Sequence, residues 1–285
     1  MTGRLLHAPA VRDVHGLLDL AFELRGGATV LVERLQRFPL RLTVPLHLDP
    51  GDPGMAFVYV QNPTGAVFAG DRLELAVRAG AGTRVHLTTQ AATKVARMDV
   101  GDAWQRLLVE AGEDAYVESI PDALIPQQGA DYAQETVVRL AAGAAFVGAE
   151  LVAPGRVARG EAHAYARLLL RTAVVGPDGA ELAVDALELR PARRSPGARG
   201  VLGGDRYLGT LLACGPGAGE LGPALDAALA AAPGRAAASS LPHGRGAIVR
   251  VLAETAPEAR AALDAAWAVA RRALRGLDLP PRRKY

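Results

Sequence analysis

Cysteine is nearly absent from this 285-residue sequence: Cys214 stands alone, which excludes an internal disulfide framework. Lysine is almost as scarce, for among 32 lysines and arginines the lysines are Lys94 and Lys284. Aromatic residues make up 5% of the chain, so a core has to be built mainly from alanine, valine and leucine. Neither sign of charge dominates. The formal net charge is +2 and the basic residues are dispersed, which argues against a nucleic-acid-binding surface, although the closing stretch "RRALRGLDLPPRRKY" is locally basic. No apolar run reaches the roughly 18 residues of a membrane span. The opening "MTGRLLHAPAVRDVHGLLDL" lacks the uninterrupted apolar segment of a signal peptide. The expectation is a cytoplasmic protein that binds neither membrane nor nucleic acid.

The common catalytic signatures are missing too. There is no Walker phosphate loop, and the nearest glycine-rich run, "GPGAGE" at 215–220, lacks the strand-to-helix setting such a loop needs. There is no Gly-x-Ser-x-Gly elbow. Cys214 has no neighbouring histidine to activate it. His7, His15, His47, His86, His163 and His243 stand singly, with no pair at i and i+4, so a tight preformed zinc or nickel site is not expected.

What is present is alternation. "RLELAV" puts Leu73, Leu75 and Val77 on one face, and "TRVHLTT" puts Val85, Leu87 and Thr89 on one face with Arg84, His86 and Thr88 opposite. This period of two reads as half-buried antiparallel strands joined by a glycine turn. The unit recurs in "QRLLVEAGEDAYVESI", "ETVVRLAAGAAFVGAEL" and "RLLLRTAVVGPDGAELAVDALEL", with turn glycines Gly80, Gly112, Gly143 and Gly176 about 31 to 33 residues apart. Strand and helix do not alternate as in an α/β parallel sheet. Helices are expected late, over 220–233 and 256–276, flanking a strand in "GAIVRVLAET", with Ala262, Trp267 and Leu274 on the packed face of the last helix. The predicted fold is mainly β. It is a body of layered, stacked antiparallel β-hairpins, β-helix-like or sandwich-like, with a small C-terminal helical cap, all in one domain spanning residues 1–285.

Several polar residues stand where a plain strand protein would not need them. Asp71 opens a strand, Glu118 sits in "YVESIPDALIP" just before Asp122, Glu150 interrupts the apolar "FVGAELVAPG", and Glu161 follows Arg159-Gly160. A carboxylate in an apolar strand faces water, pairs with a cation or lines a polar cavity. The run "TTQAATKVARM" gathers Thr88, Thr89, Gln90, Thr93 and Lys94 directly after a strand. Its hydroxyls and amide could satisfy the backbone of a turn, or serve a contact with a partner.

These residues carry a resemblance. Pro63-Thr64-Gly65, Gly70-Asp71-Arg72-Leu73 and above all Thr88-Thr89-Gln90-Ala91-Ala92-Thr93-Lys94 are similar to the urease accessory protein family UreD, called UreH in some bacteria. "ESIPDALIPQQGADYAQETVVRL", "GAELVAPGRVARGE" and "GDRYLGTLLA" follow in the same order, so that the likeness runs from about residue 22 to 214. Two departures are small: Ala69-Gly70 where the family often has Gly-Gly, and Gln127 or Gln128 where a phenylalanine is common. The resemblance implies a non-enzymatic, predominantly β, cytoplasmic protein. It would bind UreF, recruit the GTPase UreG with it, and help deliver nickel to apo-urease through an internal passage. No cofactor would be held tightly, because an ion in transit should meet weak ligands at several points. On that reading Glu118, Asp122, Glu150 and Glu161, with Asp71, are candidates to line the passage. Thr88, Thr89, Gln90, Thr93, Lys94 and Arg72 are family-motif residues of structural or interface role. For Lys94 the expectation is a compact charge paired with a nearby carboxylate or anchoring its loop, with a partner contact as the alternative. Two other classes stay open: a sugar-active hydrolase, poorly supplied with Trp104 and Trp267 as its only tryptophans, and a β-helical structural protein without partners.

Overall fold

The computed structural model describes residues 13–281. His7, Lys284, most of the opening stretch and the end of the basic tail lie outside the described residues. The described residues open with an antiparallel hairpin, β1 (Val14–Arg25) and β2 (Ala28–Arg37). β3 (Ala56–Val60) follows, and from there strands fall alternately into two sheets. β4 (Asp71–Ala79), β7 (Ala103–Ala111), β10 (Asp131–Leu140) and β12 (Arg167–Val175) join the hairpin in a seven-stranded sheet. β13 (Glu181–Leu189) closes its far edge. The second sheet takes β3, β5 (Arg84–Thr89), β8 (Tyr116–Ser119) and β11 (Ala145–Val152), then β14 (Tyr207–Cys214), β16 (Gly246–Ala253) and β15 (Arg235–Ser240). Two short strands, β6 (Thr93–Val95) and β9 (Leu124–Pro126), pair with each other on the return path.

The mainly-β, layered body and the C-terminal helices are as the sequence leads one to expect, but the pairing inside the repeated unit is not. β4 and β5 do not form a hairpin. They lie in opposite sheets, and β4 pairs in parallel with β1 and β7, while β5 pairs in parallel with β3 and β8. Each strand–turn–strand unit is thus one coil of a solenoid, stacked on the coil before it. Alternation and a glycine turn look the same in a hairpin and in a coil. The distinction lies in the long return segment, which gives a parallel pair the crossover it needs without a helix. The turns stack as closely as the strands. A Cβ on Gly112 would stand 3.0 Å from the amide nitrogen of Ala81 in the preceding turn. The Gly-Pro-Asp-Gly unit is a true hairpin, β12 with β13.

Register aligns like positions from coil to coil. Leu20, Val77, Val109, Val138 and Val174 form one buried row across the first sheet. These rows pack against Val58, Val85, Leu87 and Val117 of the second sheet. The second sheet is covered on its outer face as well. α1 (Gly222–Ala230) and α2 (Ala256–Arg275) pack there over a second apolar cluster that includes Leu211, Val249, Leu263 and Trp267. Ala262 and Trp267 of α2 are buried and Leu274 is half-buried, as its sequence spacing predicts. Thr255 and Glu258 cap the start of α2 reciprocally, and Gly276 ends it in a left-handed conformation. Burial on both faces explains why His86 and Thr88, on the outer face of β5, are enclosed rather than exposed. No helix among the described residues is long and apolar enough to cross a membrane.

Candidate functional site

At the level of β4, β7 and β10 the inward rows of the first sheet turn from apolar to polar. Leu73 stacks on Gln105 and Gln105 on Gln134, while Leu75, Leu107, Thr136, Thr172 and Asp185 succeed one another in the neighbouring row. On the second sheet Glu150 stands beside Thr210. A buried polar side chain in such a row is costly unless it is hydrogen-bonded or wet. Here the sheets part around a cavity of about 100 Å³ bordered by these residues, Leu73 excepted. That is well above the roughly 10–15 Å³ that one water requires. Its charged lining consists of Asp122, Glu150 and Asp185, and among the described residues no lysine, arginine or histidine lines it.

Glu150 is the most perturbed of the three. Gln134 Nε2 donates to its Oε1 at 2.6 Å. Burial, and then the charge of Asp185, raise its carboxyl to about 7, against the pull of Gln134 and Arg250. The surface it keeps is presented to the cavity. Asp122 stands at a junction. It lines both this cavity and a small hollow of about 20 Å³ beneath Trp267 and Pro280, 3.8 Å from Arg260 of α2.

The threonine run builds the other end. Thr88 Oγ1 donates to the Ile120 carbonyl at 2.7 Å, and the Asp122 amide donates to Thr89 Oγ1 at 3.0 Å. These hydroxyls thus hold the segment that carries Asp122. Thr89, Thr93 and Gln105 line both the inter-sheet cavity and an outer one of about 160 Å³, which is bordered further by Gln90 and Lys94. Lys94 is exposed, because β6 turns Thr93 and Val95 inward and Lys94 outward. Among the described residues no carboxylate pairs with it, so the expected ion pair is corrected.

The remaining candidates lie elsewhere. Asp71 is buried and its Oδ2 accepts from the Phe68 amide at 2.9 Å, closing the turn before β4. Arg72 donates to Asp102 Oδ1 at 2.8 Å and ties its coil to the next. Glu161 binds Arg156 and accepts from the Gln128 amide, fastening its loop. Glu118 points away from the cavity, under α2. Its Oε1 accepts from Tyr116 at 2.6 Å and from Arg271 at 2.5 Å, and its Oε2 lies 2.8 Å from His86 Nδ1. Burial alone would raise the Glu118 carboxyl, but the contacts of His86, Arg271 and Tyr116 outweigh it and hold the group below the usual carboxylate range. Arg271 also pairs with Asp49. Of the five carboxylates singled out in the sequence, Asp122 and Glu150 meet at the cavity. Asp71, Glu118 and Glu161 border none of the cavities described above.

Gln105, Gln134, Thr136, Thr172, Asp185 and Thr210 are lining residues that alternation alone does not single out. Their signal is a polar residue in the phase of the strand that otherwise carries leucine or valine. Asp49, His86 and Arg271 come together only through long-range folding. Cys214 is buried and its thiol is pushed up to about 12 by that burial, which removes it as a nucleophile. Neither Trp104 nor Trp267 lines the inter-sheet cavity, so no sugar platform forms there. No group of three or more His, Cys, Asp or Glu side chains suited to holding a metal occurs among the described residues.

Comparison with known proteins agrees with the geometry. The model of the UreD urease accessory protein family matches residues 14–285. A protein of Streptomyces griseus named urease accessory protein UreD 2 is 43% identical over 281 residues, covering 97% of this chain and 96% of that protein. The urease accessory protein UreD of Haloarcula marismortui is 37% identical over 272 residues, covering 95% and 90%. That of Mycolicibacterium gilvum is 35% identical over 258 residues, covering 87% and 90%. The match over nearly the whole chain places this protein in the UreD family of urease accessory proteins.

Proposed function

We propose that this chain acts in the cytoplasm as a non-enzymatic maturation factor for urease, in complex with UreF and the GTPase UreG, and conducts nickel toward apo-urease between its two sheets. The observation that carries this reading is the polar cavity at positions where a two-sheet core is ordinarily apolar, with Asp122, Glu150 and Asp185 as its charged lining. Carboxylates, hydroxyls and amides are weak, labile partners for nickel compared with imidazole or thiolate, as suits an ion that must leave again. The outer cavity beside Lys94 and the hollow beside Asp122 are candidate openings. The family name supports the urease role, and the absence of a nucleotide-binding motif leaves GTP hydrolysis to UreG.

The test uses cells that carry the urease genes with this gene deleted and restored. Restoration should return both urease activity and urease nickel content. A Thr172→Phe variant, which fills the cavity, should co-purify with urease yet leave it nickel-poor and inactive. Full nickel loading by a folded Thr172→Phe chain would reject the passage. Full loading without the gene would reject the maturation role.

A further inference from the structure

An ion pair that joins the two sheets holds two of the residues that border the inter-sheet cavity. Asp185, on the edge strand β13 of the first sheet, and Thr210, on β14 of the second, both line the cavity. Arg250 on β16 holds both. One guanidinium nitrogen donates to Thr210 Oγ1 and the other to an Asp185 carboxylate oxygen. Register places this group beside Glu150, since Glu150 pairs with Thr210 and Thr210 with Arg250. On its far side the pair meets solvent, with 38% of the Arg250 side chain and 20% of the Asp185 side chain exposed.

The placement differs in kind from that of Arg271, another arginine that bridges elements. Arg271 is wholly buried between Asp49 and Glu118, so removing it would strand two carboxylates away from water. Arg250 can leave Asp185 and be hydrated at once, because its side chain already reaches water. It is a contact that opens at small cost. It also sets the charge of the chamber. With Arg250 in place one of the three lining carboxylates is neutralised. With Arg250 turned out, the Asp185 carboxylate is left unpaired at the chamber's border, where its charge favours a cation.

We propose that Arg250 is a gate of this cavity: closed on Asp185 and Thr210 it blocks a mouth at that border and repels cations, and turned outward it opens a mouth flanked by Asp185 and Glu150. The proposal rests on the passage reading given above and adds a door and its position.

The test is equilibrium dialysis of the isolated full-length chain against nickel chloride at low ionic strength. Arg250→Gln keeps a hydrogen-bonding side chain without the charge. It should raise the nickel bound at a fixed free concentration about tenfold over wild type, because a unit charge within a few ångströms of the site is removed. Arg250→Lys should stay near wild type, and adding Asp185→Asn to Arg250→Gln should cancel the gain. Equal uptake by wild type and Arg250→Gln, or a gain that survives Asp185→Asn, overturns the gate. Should Arg250→Gln fail to fold, Thr210→Val takes its place. It removes one anchor of the guanidinium with every charge retained, and should raise uptake about two- to threefold; no rise overturns the gate equally. The two readings fail separately. Nickel-starved urease with Thr172→Phe but no gain with Arg250→Gln leaves a passage without this gate. A gain that depends on Asp185, beside normal urease loading by Thr172→Phe, leaves an exposed cation site that is not on the delivery route.

Discussion

Arg271 and Arg272 are neighbours on α2, and replacing each by methionine should have sharply different effects. The Arg271 side chain is 0% exposed, and its two partners, Glu118 and Asp49, are 0% and 4% exposed. Arg271→Met leaves both carboxylates in the interior. Glu118 retains Tyr116 and His86, whereas among the described residues the Asp49 carboxylate keeps the Gly51 amide as its donor, so Asp49 carries most of the loss. Breaking a buried pair from one side costs about 3–5 kcal/mol. The Arg272 side chain, bonded to Asp278, is 68% exposed and its partner 83%, and such pairs contribute below about 1 kcal/mol. Denaturant unfolding of the two variants, followed by circular dichroism, should therefore separate them by about 3 kcal/mol. Combining Arg271→Met with Asp49→Asn should recover part of the loss, since the stranded charge is removed. If the two single variants fall within about 1 kcal/mol of each other, the buried cluster is not what fastens α2 to the second sheet.

Glu150→Gln should stabilise the chain at pH 8 and leave it nearly unchanged at pH 4. The Glu150 carboxyl lies near 7 in the folded chain against 4.5 in the unfolded one, so its contribution is fully present below pH 4.5 and is lost as pH rises through 7. At about 1.4 kcal/mol per unit the difference comes to about 3.5 kcal/mol, less whatever water in the cavity relieves. Equal effects at both pH values in urea titrations would refute this origin. Thr255→Ala removes the cap of α2 and should cost about 1 kcal/mol by the same assay, with no loss expected if the helix start were already frayed. Cys214 should resist iodoacetamide in the native chain at pH 8 and react on unfolding, and rapid native labelling would contradict its burial.

The elements were largely legible in the sequence, and their partners were not. Alternation at Leu73, Leu75 and Val77 marks the inward face of β4 correctly, and the helix expected over 256–276 coincides closely with α2. The pairing sense is invisible locally. A coil and a hairpin share a period of two and a glycine turn, and what separates them is whether β4 meets β5 or β7, a choice made by contacts across a whole coil. The site divides along the same line. Glu150 and Asp122 stand out because a carboxylate in an apolar setting needs a reason. Gln134 and Thr136 are ordinary strand residues until register stacks them on Gln105 and Leu107. Glu118 gave the same sequence signal as Glu150, but its strand faces it toward α2, where Arg271 lies 153 positions away in the chain.

Both parallel stacks end in a reversal of direction. β2 runs antiparallel to β1 at one edge of the first sheet, and β13 runs antiparallel to β12 at the other. In the second sheet β15 runs antiparallel to β16, and β3 is bridged by the opposed segment at Arg41 and Leu46. A stack of like coils left bare would offer each terminal strand as a template for another molecule, growing into a fibre. The reversed outer strands do not continue the parallel repeat, and β2 adds exposed Glu33, Arg34 and Arg37 along its rim. The solenoid is thereby made finite, and an architecture prone to polymerise can remain a discrete particle free to dock and release.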